Sequence, residues 1–236
     1  TMTSSVLAPV QERGRAALER LGLPTRRQEP WRLTDLKRLE SMAALPSSAA
    51  AAGCSLPASA DGVLRVVLDG QVDPLDGVTL PSGISALSDA DLKQALGHTL
   101  DRCGCAESWP VEFNHARSRQ VLALRIRGQV PPLEFVLSGG AGLTATRVLL
   151  LLEEKASLDL LEVVLADRAN AHSHVIEAHL GQESQLRHGL LATSGGTASL
   201  LTHCAVEQEP RSSYAFTSVV QGWSLGRVEP RVVQVD

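Results

Sequence analysis

Ala156-Ser-Leu-Asp-Leu160, Ser184-Gln-Leu-Arg-His188 and Ser212-Ser-Tyr-Ala-Phe216 follow one another at intervals of 28 residues, and this interval decides the fold. The row before them repeats too: Val148/Leu150/Leu152 lies 28 residues ahead of Ile176/Ala178/Leu180. A third copy reads as Thr202/Cys204/Val206, 26 residues on, with the missing two residues returned around Glu209-Pro210. Short strands recurring at such a period cannot each bury an inner face alone. Neighbouring coils therefore stack at roughly 4.8 Å and share apolar columns. Leu158, Leu186 and Tyr214 form one expected inward column, and Leu160, His188 and Phe216 another. Asp159 and Arg187 then lie side by side outside, as an ion pair between coils. Consecutive parallel coils turn right-handed by the crossover rule. The expected class is mainly β: a right-handed parallel β-helix (β-solenoid) preceded by an N-terminal helical and mixed region.

Outward from the repeat, the chain divides into four stretches. Residues 111–236 alternate short β-like runs with Gly, Pro, Asn and Ser, and are read as the β-helix core, incomplete at its C-terminal end. Residues 61–110 look mixed: Val63 to Leu68 reads as a strand ended by Asp69-Gly70, and Ser88 as the N-cap of a helix carrying Leu92, Ala95 and Leu96. Residues 46–60 are mostly Ser, Ala, Gly and Pro with no charge, which reads as a flexible linker. Residues 1–45 are read as helical. Val10, Arg13, Ala17, Leu18 and Leu21 have helical spacing, and Gly22 with Pro24 stops that helix. A second helix is expected to be capped by Thr34, with Asp35 in its first turn and Leu36, Leu39 and Met42 on one side.

Composition narrows the function classes. In 236 residues, 44% are hydrophobic and 20% charged, which supports a packed core and excludes global disorder. Aromatics are 3%, too few for stacking on bases, and the net charge of −4 gives no pull toward nucleic acid or acidic membranes. Thr1 to Leu7 lacks a basic region followed by an apolar run, and the longest aliphatic block, Val148 to Leu152, is far too short to cross a bilayer. Neither a nucleic-acid nor a membrane partner is expected. Cys54, Cys103, Cys105 and Cys204 have no zinc-site spacing and read as free thiols in a reducing cytoplasm.

Several segments carry a resemblance. Val111-Glu-Phe-Asn-His-Ala116, the strand Val121 to Ile126, Pro132 to Val136, Val148 to Leu158 and Leu180-Gly-Gln-Glu-Ser-Gln-Leu186 follow in an order similar to that of the SufB/SufD family. This is the scaffold family of the SUF iron–sulfur cluster assembly system, and the pattern here resembles its SufD branch. Pro24-Thr-Arg-Arg-Gln-Glu-Pro-Trp-Arg-Leu-Thr-Asp-Leu36 resembles the family's entry motif Glu-Glu-Trp-(Arg/Lys)-Tyr-Thr-Asp-Leu, with Pro30 where that motif is acidic and Leu33 where it has Tyr. The resemblance implies a β-helix between helical end domains and a non-enzymatic scaffold that works with a SufB-type subunit and the SufC-type ATPase. It implies a homodimer contact through the β-helix end. It also implies an iron–sulfur cluster handled by the full complex, with no cofactor bound by this chain alone. The helical domain on which the ATPase docks would lie beyond Asp236, so a piece of a longer SufD is expected.

No catalytic, cofactor-binding or metal-ligating residue is assigned. His172 and His174 share a strand face, but no Cys or carboxylate is expected beside them, so they read as solvated or hydrogen-bonded side chains. His188, in its apolar column, reads as a neutral imidazole with a backbone partner. Cys204 reads as an inert, small buried hydrophobe, and Cys103 and Cys105 as oxidisable but not catalytic. Ser138-Gly-Gly-Ala-Gly142 and Ser194-Gly-Gly-Thr197 lack the helix and the Lys-Ser/Thr pair of a phosphate loop, and read as solenoid turns. A β-helical enzyme acting on polysaccharide would need carboxylates clustered on one coil face, and the outward positions Asp159, Gln185 and Arg187 are too sparse for it. A general cytosolic interaction module is the remaining alternative.

Overall fold

The computed structural model describes residues 2–49, 55–166 and 170–236. Helix α1 (Met2–Leu21) ends at Gly22, whose φ of 64° closes the last turn. A short 3-10 turn (Glu29–Trp31) leads to α2 (Leu36–Ala43). Asp35, not Thr34, caps α2, accepting hydrogen bonds from the backbone N–H groups of Lys37 and Arg38. The Thr34 hydroxyl is engaged elsewhere, 2.7 Å from Arg227 Nη1. Strands β1 (Leu64–Leu68) and β2 (Ile84–Ala86) follow, then α3 (Asp89–Ala95) with Ser88 as its cap, α4 (His98–Arg102) and α5 (Trp109–Arg117).

The solenoid begins in earnest at β3 (Leu122–Ile126). It continues through β4 (Leu133–Leu137), β5 (Gly142–Leu152), β6 (Ser157–Ala166), β7 (Asn170–Leu180), β8 (Gln185–Ser194), β9 (Ser199–Gln208), β10 (Ser213–Gln221) and β11 (Leu225–Gln234). Successive strands alternate between two sheets: one of five strands ordered β1-β4-β6-β8-β10, the other of six ordered β11-β9-β7-β5-β3-β2. Every pairing is parallel except the antiparallel pair β2–β3. The expected β-solenoid is the observed architecture. Strand β1 belongs to it, pairing Leu64 to Leu68 with Leu133 to Leu137, although those residues read from sequence as part of a separate mixed segment.

The inward columns fall where the 28-residue frame puts them. Leu158 pairs with Leu186 and Leu186 with Tyr214, while Leu160, His188 and Phe216 align beside them. Tyr214 is only half-buried, because β10 is an edge strand of its sheet. One alignment is corrected. Ile176 pairs with Cys204 and Ala178 with Val206, so the third row is Cys204/Val206/Gln208 and the period stays at 28. The two-residue shortening falls one coil later, where Thr202 pairs with Val228, and the short connection from Gln221 to Leu225 absorbs it.

Outside the columns, a second 28-residue ladder marks the coil corners. Lys155, Glu183 and Arg211 all have φ near +60°, at 62°, 59° and 60°. Such left-handed turns normally favour Gly. Here alternating charge links the three corners, with Lys155 Nζ 3.7 Å and Arg211 Nε 3.2 Å from the Glu183 carboxylate.

Two further expectations give way. Pro46 to Ala49, read as the start of a flexible linker, is tied to β5. Ser48 N donates to Leu143 O at 2.8 Å, Leu143 N donates to Pro46 O at 2.8 Å, and the Ser48 and Thr144 hydroxyls meet at 2.9 Å. Backbone pairing needs no amphipathic face, so composition could not reveal it. Residues 50–54 of that linker lie outside the described residues. The Val111 to Ala116 segment, counted with the β-rich part, is helix α5. It packs with α1 and α4 over the outer face of the six-stranded sheet.

Candidate functional site

Alternation along the strands turns Thr146 (β5), Glu162 (β6), His174 (β7), His188 (β8), Cys204 (β9) and Tyr214 (β10) into the space between the sheets. They form a continuous polar ladder in a mainly aliphatic core built on Leu150, Leu158, Ile176 and Leu186. Glu162 is its centre. Its Oε2 lies 2.5 Å from His174 Nε2 and its Oε1 2.7 Å from His188 Nε2. The other nitrogen of His174 meets the Thr146 hydroxyl at 2.8 Å. The other nitrogen of His188 meets the Tyr214 hydroxyl at 2.9 Å, and that hydroxyl lies 3.3 Å from Cys204 Sγ. Glu162 has no solvent exposure at all, and the two histidines and Cys204 are also buried.

A carboxylate this deep is stable only if its oxygens are hydrogen-bonded. Burial pushes the Glu162 pKa up, but the charge on His174 and the hydrogen bonds from both imidazoles outweigh it and hold the carboxyl well below its usual range. Burial pulls His188 down, and the hydrogen bonds and charges of Cys204 and Glu162 reverse this, raising it to about 10. Of these two partners, Glu162 at 2.7 Å is much closer than Cys204, whose sulfur is 4.0 Å from the ring. Burial, together with the Cys204 thiol, pushes the Tyr214 hydroxyl far up, so it stays a neutral phenol. Chemically the ladder is a buried imidazolium–carboxylate pair, extended on one side to a phenol and a thiol.

The expectations for these histidines are corrected accordingly. His188 faces inward as expected, but its partners are a carboxylate and a phenol instead of a backbone group, and it is held charged. His174 does have a carboxylate beside it, contributed from the opposite sheet, and of the two expected states, solvated or hydrogen-bonded, both His172 and His174 take the second. His172 Nε2 lies 3.0 Å from Leu165 O, and burial holds its pKa down at about 4. Cys204 is buried as expected, yet it joins the ladder through the Tyr214 hydroxyl. Cys103 is half-buried with its thiol pushed up by burial. Cys105 is buried and pushed up to about 12. The Ser138 to Gly142 loop cradles backbone: a Cβ on Gly142, at φ 106°, would lie 2.7 Å from Pro46 O.

A second polar layer lies between the six-stranded sheet and the helices. Arg147 on β5 and Glu177 on β7 are both fully buried, 3.4 Å apart. Glu177 also accepts from Gly97 N at 2.8 Å. Asn114 on α5 donates to Thr146 O at 3.1 Å and Ser173 O at 3.0 Å, fastening the helix across two coils. No local signal marks these residues, because the outer face of a strand is ordinarily wet.

The outer face of the five-stranded sheet, by contrast, presents Leu161, Leu191 and Val219, the last 52% exposed. A groove of about 470 Å³ runs over Gly189 and Ala215 on this face. Its rim carries two ion pairs. Arg187 holds Asp159 with two bonds, its Nε 2.6 Å from Oδ1, and Arg65 Nε lies 2.5 Å from Glu134 Oε1.

Among the described residues, no group of three or more His, Cys, Asp or Glu side chains is disposed to hold a metal ion. No helix among them is long and apolar enough to cross a membrane. Residues 135–236 match the family model described as SUF system FeS cluster assembly, SufBD core domain. That match supports the SufB/SufD family and a part in SUF iron–sulfur cluster assembly. The matched segment starts within β4 and contains the whole polar ladder. Comparison with curated proteins and with solved structures gave no match.

Proposed function

We propose that this chain is a scaffold subunit of SUF iron–sulfur cluster assembly, of the SufD type, working in a complex with a SufB-type subunit and a SufC-type ATPase. The observation that carries the reading is the coincidence of the SufBD core match with the in-register solenoid from β5 to β11. The role is non-enzymatic. The outward carboxylates over the groove, Glu134 and Asp159, are each held in an arginine ion pair, which suits a docking surface better than acid–base chemistry on a sugar. The cluster is cargo of the assembled complex, and this chain supplies no cofactor of its own. The complex works in the cytoplasm, and the β-helix end, where β10 and β11 present open edges, meets another subunit of this family, a second copy included.

Co-expression of the full natural protein with tagged SufB-type and SufC-type subunits from the same source tests this. Co-purification in a fixed ratio, with iron–sulfur enzyme activities falling when the protein is deleted, is expected. Failure to co-purify with either subunit, together with unchanged iron–sulfur enzyme activities in the deletion strain, overturns the reading.

A further inference from the structure

Away from the solenoid core, α1 and α5 touch backbone to backbone at Gly14. A Cβ at that position would lie 2.6 Å from Ala116 N and 2.8 Å from Glu112 O. The two helices meet there, and the small side chains of Ala16 and Ala17 leave a cleft of about 260 Å³ between α1 and the α4–α5 connection. Its charged lining is Arg13 and Arg20 from α1, Asp101 and Glu107 from the opposite wall, and Glu112 from α5.

Glu112 separates this cleft from an ordinary surface groove. Its residue is only 3% exposed, and among the described residues its Oε2 has no hydrogen-bond partner. Its Oε1 lies 3.4 Å from His115 Nδ1. Burial holds His115 down at about 4, so the imidazole is neutral near pH 7 and brings no compensating charge. The same Nδ1 lies 3.4 Å from Arg13 Nη2, which ties that guanidinium to the cleft. A buried carboxylate oxygen without a donor is costly, and a ligand that brings an N–H removes the cost.

The lining offers both signs of charge, guanidinium groups on one wall and carboxylates on the other. A ligand of one sign would meet repulsion from half of it, whereas a dipolar ligand is matched at both ends. The volume falls below the roughly 300–1,000 Å³ of drug-sized sites, so the ligand is small. We propose that this cleft binds a small zwitterion of α-amino acid size, its ammonium group donating to Glu112 Oε2 and its carboxylate held by the guanidinium groups of α1. The proposal goes beyond the scaffold reading and does not depend on it.

Ligand-observed NMR and calorimetry on the whole chain, with the common α-amino acids as probes, test it. Saturable one-site binding of at least one free amino acid is expected, weakened at least tenfold when its amine is acetylated or its carboxylate is amidated. Glu112→Gln should weaken binding at least tenfold. So should the double variant Arg13→Gln/Arg20→Gln, whose side chains are exposed and whose fold should be intact. If Glu112→Gln fails to fold, the arginine pair decides alone. No saturable binding at millimolar concentration overturns the proposal, as does binding untouched by the arginine substitutions. Equal competition by methylamine also overturns it, since an ammonium group alone would then suffice.

Discussion

Replacing Glu162 by Gln should remove most of the pH dependence of stability that this fold shows above neutrality. His188 has a pKa of about 10 in the fold against 6.5 for an ordinary imidazole. A base held more tightly protonated in the fold stabilises it fully below its unfolded pKa, and that stabilisation disappears as pH climbs through the folded value. The window therefore runs from 6.5 to about 10. Within it, stability should fall by up to about 1.4 kcal/mol per pH unit, or about 5 kcal/mol in all as an order of magnitude. Glu162 is depressed below its usual range, so its own contribution is already complete above its ordinary pKa and is lost only in acid. The two groups share one interaction, and it is counted once. Glutamine keeps the shape but not the charge, and leaves the His188 imidazolium without its counter-ion in a dry core. At about pH 6 the variant should be less stable by about 3–5 kcal/mol. Its loss between about pH 6.5 and pH 9.5 should be much shallower than wild type. Urea titration followed by tryptophan fluorescence reads both quantities. Trp223 is a suitable reporter, because its indole N–H reaches Ala192 O at 3.0 Å, against the core. Taking the difference between wild type and variant cancels lysine and cysteine titrations common to both. Parallel stability curves across that range would refute the claim that His188 is held charged by Glu162.

Three further outcomes are expected. Leu186→Ala opens a cavity in the central column and should cost about 2–5 kcal/mol by urea denaturation. Gly14→Ala forces a methyl against the α5 backbone and should cost about 1–3 kcal/mol, with hydrogen-exchange protection lost in α1 and α5 while β5 to β9 stay protected. Glu177→Gln strands Arg147 in the buried layer and should cost about 3–5 kcal/mol, whereas the double variant Arg147→Met/Glu177→Leu should recover most of that loss in the same assay.

The solenoid was legible because two periods coincide in it. Strand alternation fixes which residues face inward, and the 28-residue coil fixes which of them touch. The Leu158/Leu186 column and the outside pair Asp159–Arg187 follow from these periods alone, and both are observed. The slip at Thr202 shows the limit of the same logic. A shift of two residues keeps every side chain on its own face, so Thr202 and Cys204 satisfy alternation equally well, and only the paired strand chooses between them. Helix α5 escaped for a different reason. From Trp109 to His115 every residue is buried, so the helix has no polar stripe for a 3.6-residue pattern to reveal. The corner ladder Lys155, Glu183, Arg211 did carry a signal, a 28-residue spacing of alternating charge, but without Gly it does not read as a turn.

The polar ladder was illegible because its key contacts run across the coil. Neighbours within one sheet recur at the coil period, as Thr146 and His174 do at 28 residues. Partners across the core or on the diagonal do not: Glu162 meets His174 at a separation of 12 residues and His188 at 26, and Cys204 meets Tyr214 at 10. These separations depend on where each chain segment crosses the flattened section of the coil, and so on the lengths of both strands and both turns. A repeat search finds the columns and passes over the rungs. The inward phase of Glu162 could be counted from Leu158 and Leu160, but a lone inward carboxylate argues against a core until its two imidazoles are found. Once they are found, the inference reverses. A carboxylate at that depth is tolerated only with His174 and His188 both seated, so it favours the one stacking of β6, β7 and β8 that brings all three together.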